Sequence, residues 1–140
     1  MSGTTELASL DTNVLLRLIL GDVPAQFERA RRLISRRGAY FLIPDLAIAE
    51  VIYVLKDAPD FAHKRSLQVE VIKELLSVQR LDYDEELFSQ VFDLYETHPA
   101  LPFDDCYLVA KAESLDRLPL YTFDKKLAGQ AEGAQLVPAV

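Results

Sequence analysis

Residues 7–20 read LASLDTNVLLRLIL. Leu7 to Leu10 form a short run suited to a buried strand. Asp11 follows at once, and an apolar helix is expected from about Asn13 to Leu20. A strand that passes straight into a helix through one polar residue is the opening of a β–α unit, and the alternation continues downstream. A helix is expected over 24–37, with Pro24 in its first turn and Gly38 as the stop. Tyr40 to Ile43 reads as a second strand, and Pro44 and Asp45 open a helix to about Leu55. Leu67, Val71, Leu75 and Val78 mark another helix, and Asp84 is a good N-cap for one running to about Glu96. A helix from about Asp104 to Leu115, a strand over Leu118 to Phe123 ending on Asp124, and a last short strand over Gln135 to Val137 complete the series. Strands separated by helices pair in parallel and are covered on both faces, so the expected class is α/β, three layers around a mainly parallel central sheet of about four or five strands.

The chain has 140 residues, is 50% hydrophobic and carries a net charge of −7. One domain over 1–140 is the natural expectation, able to bury about 70% of its unfolded surface without disulfides or a structural metal. Abundant aliphatic residues argue against disorder, and a single cysteine, Cys106, rules out a disulfide scaffold and fits a reducing cytoplasm. No basic segment precedes the apolar run of 14–20, which Arg17 interrupts, so neither an export signal nor a membrane span is expected. The acidity argues against gripping nucleic acid by bulk positive charge. Its distribution is uneven, however: residues 29–37 hold five arginines and no acid, while 81–110 hold eight acids and no Lys or Arg.

In open α/β sheets ligands bind beyond the carboxyl ends of strands, which singles out Asp11 and Asp124; the plain alternative is that each only caps the next helix. Glu50 shares its helix face with Leu46, Ala47, Tyr53 and Val54, so its carboxylate is expected on an apolar face, bound to metal or paired with an inward Arg such as Arg17. Asp105 shares a stripe with Leu108, Val109 and Ala112, whereas Asp104 shares one with Tyr107 and Lys111; this puts Asp105 on the interior side and Asp104 on the rim. Four carboxylates without neighbouring His or Cys make an oxygen-rich donor set that suits Mg²⁺ or Mn²⁺ rather than zinc. The acids of 82–96 are expected to be solvated helix surface.

DTNVLL at 11–16, LAIAEVIYVL at 46–55, FDDCYLVAKA at 103–112 and YTFDKKL at 121–127 resemble, in order and spacing, the four acidic motifs of PIN-domain ribonucleases, and in particular the VapC-type toxins of bacterial toxin–antitoxin pairs. The resemblance implies a PIN-like fold and metal-binding and catalytic roles for Asp11, Glu50, Asp105 and Asp124. Asn13 and Thr122 would support them, and Asp104 would stand beside the motif residue. It further implies Mg²⁺- or Mn²⁺-dependent cleavage of RNA in the cytoplasm, a homodimer and a cognate antitoxin.

Other chemistries have less support. His63 and His98 both lie in polar or loop-like segments, no G-x-S-x-G elbow accompanies a serine, and no Gly-rich phosphate loop is present. A phosphatase or phosphoacceptor domain also places an Asp after its first strand, but Asn13 stands where a second acid is wanted. A non-catalytic acidic interaction module remains a third reading. The arginine-rich helix is either a solvated face or, through Arg32 and Arg36, a contact for RNA backbone.

Overall fold

The computed structural model describes residues 5–140. The chain forms two compact units, Met1–Tyr83 and Asp84–Val140. The first contains β1 (Glu6–Ser9), α1 (Thr12–Leu20), α2 (Pro24–Ile34), β2 (Ala39–Leu42), α3 (Asp45–Leu55), α4 (Arg65–Leu76) and β3 (Leu81–Asp82). Its strands run in the order β1-β2-β3, all parallel, with Leu7 opposite Tyr40 and Phe41 opposite Leu81. Helix α1 packs on α2, α3 and α4. Between them lies a core of Leu15, Leu16, Phe41, Ile43, Ile48, Ile52, Leu55 and Ile72, all almost fully buried. Gly21 ends α1 in the left-handed conformation, φ 60°, with its N–H donating to the Arg17 carbonyl, a geometry that costs a residue with a Cβ more than glycine.

Several local expectations are corrected here. Leu7 is 79% exposed and β1 is exposed throughout; as the end strand of its ladder it pairs on one side only, and the buried residue is Leu10. Helix α2 ends at Ile34, short of Arg37, and the Arg31 carbonyl there accepts from both the amide and the hydroxyl of Ser35. Gly38, at φ 76°, supplies the turn into β2. In α4 the buried face is Gln68, Val69, Ile72 and Leu76, not the stripe of Leu67, Val71, Leu75 and Val78 that marks the helix in the sequence. Gln68 is tolerated inside because its Nε2 donates to the Phe61 carbonyl at 2.8 Å. The two-residue β3 is too short to carry a pattern of its own.

The second unit contains α5 (Glu85–Thr97), α6 (Phe103–Ser114), β4 (Leu120–Thr122), α7 (Lys125–Gln130) and β5 (Ala134–Leu136). Asp84 caps α5 as expected, accepting from the Leu87 amide at 3.2 Å. The acids of this segment, Asp82 to Glu86, Asp93 and Glu96, are exposed. Strands β4 and β5 pair in parallel, Leu120 opposite Ala134, with α7 as the crossover. Among the described residues, five strands, in a three-stranded and a two-stranded ladder, and seven helices make the mixed α/β class that alternation in the sequence predicts.

Helix α5 packs on α6 through rings: Phe88 lies 5.8 Å from Phe92, 6.5 Å from Phe103 and 5.9 Å from Tyr107, and Tyr95 meets Phe103 edge-on at 5.2 Å. Phe88 is 0% exposed and touches three of these rings. Phe88→Ala removes both transfer energy and packing and leaves a cavity, so denaturant unfolding should show a loss of about 3–5 kcal/mol.

Candidate functional site

In the first unit, Asp11 stands in extended backbone directly after Leu10, and its Oδ1 accepts from the Val14 amide at 3.2 Å, capping α1. The capping alternative weighed for Asp11 is therefore realised. It uses one carboxylate oxygen; the other is not engaged in the cap. The next residue, Thr12, opens α1 and donates its hydroxyl to Glu50 Oε1 on α3 at 3.3 Å. This bond joins two motifs 38 residues apart. Glu50 is exposed rather than buried, on a face whose apolar members Leu46 and Tyr53 are themselves 69% and 67% exposed. It needs no inward counter-ion, and Arg17 pairs instead with Asp22 at 3.1 Å. Thr12 is the residue that reading the sequence missed. The signal is present in the DTN triplet, which sets a hydroxyl directly beside Asp11 at the start of a helix.

In the second unit, Asp124 follows β4 in extended backbone and caps α7, its Oδ1 accepting from Lys126 and Leu127 amides at 2.8 and 3.1 Å. Thr122 Oγ1 accepts from the Asp124 amide at 2.9 Å, while the Thr122 carbonyl accepts from Val137 on the β5 side. Thr122 thus fixes the turn that presents Asp124. Both Asp104 and Asp105 lie in the first turn of α6, where the positive end of the helix dipole favours them. Asp104 is exposed and accepts from the Asp105 amide at 3.1 Å, and Asp105 is half-buried, the rim-and-interior division that helix phase predicts. Partial burial raises the Asp105 pKa above the ordinary carboxylate value, and the negative charges of Asp104 and Asp124 raise it further. Residues 105 and 124 are accordingly close enough to feel each other's charge.

A family model described as PIN domain matches residues 8–133. The chain belongs to the PIN-domain family. PIN domains are generally nucleases that use divalent metals, and the matched span takes in Asp11, Glu50, Asp105 and Asp124. No curated protein matches the chain. Among solved structures, a chain of the crystal structure of VapBC2 from Rickettsia felis bound to a DNA fragment from their promoter is similar at 15% identity and a TM-score of 0.40, over 94% of this PIN domain and 97% of that chain.

The candidate donors fit a hard divalent ion in kind: they are carboxylate oxygens, and the like-charge repulsion that adds to burial in raising the Asp105 pKa is what a cation relieves. Among the described residues no three Asp, Glu, His or Cys side chains make a ready cage. Mg²⁺ does not ask for one, since it usually keeps several waters and takes one or two carboxylates with phosphate oxygens of the substrate. Among the described residues no helix is long and apolar enough to cross a membrane.

An acid whose folded pKa is raised binds its proton more tightly in the fold than in the unfolded chain. Its ionised form therefore costs stability above the unfolded value, near 3.9, and nothing well below it. Asp105→Asn should raise the metal-free melting temperature at pH 7. That gain should fade as pH falls through the ordinary aspartate range, as calorimetry in EDTA across pH would show.

Proposed function

We propose that this PIN domain is a Mg²⁺- or Mn²⁺-dependent endoribonuclease of the VapC toxin type. The observation that carries this reading is the form of Asp11 and Asp124: each follows a parallel strand, each spends one carboxylate oxygen on a helix cap, and each keeps the other for a ligand. The assignment of Asp11, Glu50, Asp105 and Asp124 to one reaction rests on the resemblance of their motifs to those of PIN ribonucleases. Asp11 and Asp124 would hold the ion, with Asp105 and Glu50 binding it directly or through water. A bound Mg²⁺ supplies Lewis acidity at the phosphate and a lowered pKa for water, so no histidine is needed.

The chain's own residues do the positioning. The rigid turns after β1 and β4 aim Asp11 and Asp124, the Thr12 hydroxyl orients Glu50, and the Thr122 hydroxyl holds the Asp124 amide. Glu50, exposed and hydrogen-bonded on one oxygen, is suited to orient an attacking water through the other. Asp104 would add negative charge at the rim without touching the substrate. A cognate antitoxin, a homodimer and a cytoplasmic location belong to the same reading.

RNA incubated with the purified chain should be cleaved in Mg²⁺ and left intact in EDTA. Asparagine caps a helix as well as aspartate, so Asp11→Asn and Asp124→Asn should keep the fold while cleavage falls about 100-fold or more. Cleavage in EDTA would overturn the metal. Turnover of a simple phosphate ester without RNA cleavage would favour a phosphatase, and no cleavage together with no metal-induced rise in melting temperature would favour an acidic interaction module.

Thr12 acts through Glu50, which makes it a positioning residue. Thr12→Val should lower cleavage by about tenfold, and Thr12→Ser, which restores the hydroxyl, should recover most of it in the same assay.

A further inference from the structure

Helices α1 and α2 enclose a pocket of about 510 Å³ whose lining includes Asn13, Val14, Arg17, Arg29, Arg32 and Arg36. Four guanidinium groups and no carboxylate line it. In a chain with a net charge of −7 this is a concentrated positive feature. We propose that this pocket binds the phosphates of a single-stranded RNA beside the scissile position, so that α1 carries Asp11 at its start and a phosphate grip along its length.

The acids around the pocket do not neutralise it. Arg17 uses Nη1 on Asp22 at 3.1 Å, a single contact that leaves the rest of its guanidinium outside the ion pair. Arg32 and Arg36 reach Glu28 and Glu6 at 3.3 Å each, both through largely exposed groups whose pairing is weak in water. Arg29 makes no ion pair among the described residues. The planar guanidinium fork matches phosphate oxygens two at a time. A volume of about 510 Å³ lies in the range of pockets that hold small ligands and suits a nucleotide unit.

Position argues for RNA over an acidic peptide. Asn13 lies two residues beyond Asp11 and at the pocket's edge, and Arg17 follows six residues after Asp11, a helical rise of about 9 Å. A strand held at Asp11 therefore runs into the pocket as it leaves. Arg32 and Arg36 are the arginines that the sequence singles out; the pocket adds Arg17 and Arg29, on a neighbouring helix and one turn earlier, to the same grip.

The ligand's identity rests on the ribonuclease reading, so binding is measured separately from cleavage. Fluorescence anisotropy in EDTA, with two short single-stranded RNAs of unrelated sequence, compares the wild type with Arg29→Ala/Arg32→Ala and with Arg31→Ala/Arg37→Ala. The second pair removes the same charge from the same segment outside the pocket. Arg29→Ala/Arg32→Ala should weaken both RNAs about tenfold or more and flatten the salt dependence by about 1.4 in log–log slope, the value for two single-strand phosphate contacts. The outer pair should change binding less than threefold. Equal losses in both double variants, no RNA binding by the wild type, or loss of a polyglutamate peptide with RNA binding intact would each overturn the proposal. Cleavage with unchanged slopes would sink the pocket alone; binding as expected with no cleavage in Mg²⁺ would leave the pocket standing and sink the nuclease.

Discussion

The structure turns on a carboxylate that accepts a hydrogen bond from the first turn of the helix it introduces. Asp11 does this for α1 and Asp124 for α7, each with one residue between it and the end of a parallel strand. The bond satisfies amides that a helix start leaves open and sets the angle at which strand becomes helix. Because a carboxylate has two oxygens, the residue that secures the turn also keeps a charged group facing outward. A cap occupies one oxygen only, so capping does not compete with ligand binding at these two aspartates.

The hydrogen bond from Thr12 to Glu50 extends the same economy. Thr12 is the first residue of α1, so its position is set by the cap before it, and it ties α3 to the start of α1 across the core of Leu15, Leu16, Ile48 and Ile52. The counterpart in the second unit is Thr122, which accepts from Asp124 while its backbone pairs toward β5. Each unit thus carries a hydroxyl beside an aspartate, in opposite roles: Thr12 donates to another acid, and Thr122 holds the aspartate's own amide.

Net charge is a poor guide to partners when charges are sorted by position. The −7 total includes exposed acids on α5 that solvate a helix, and aspartates on the turns after β1 and β4 that cap the helices they introduce. The arginines lie in a separate pocket along α1 and α2.

Much of this was legible from residues alone. Strand-to-helix turns at Asp11 and Asp124, the cap at Asp84 and the interior phase of Asp105 depend on neighbours within about one turn of chain, and local spacing encodes them. What depended on distant neighbours was not legible. The exposure of β1 follows from its lying at the end of a ladder, the buried face of α4 from the Phe61 carbonyl that accepts from Gln68, and the partner of Glu50 from a threonine 38 residues away. The sequence by itself therefore determined which residues carry charge at the strand ends; only the tertiary structure decided which hydroxyl orients which acid and which arginines share a pocket, because those are contacts between segments whose separation along the chain says nothing about their distance in space.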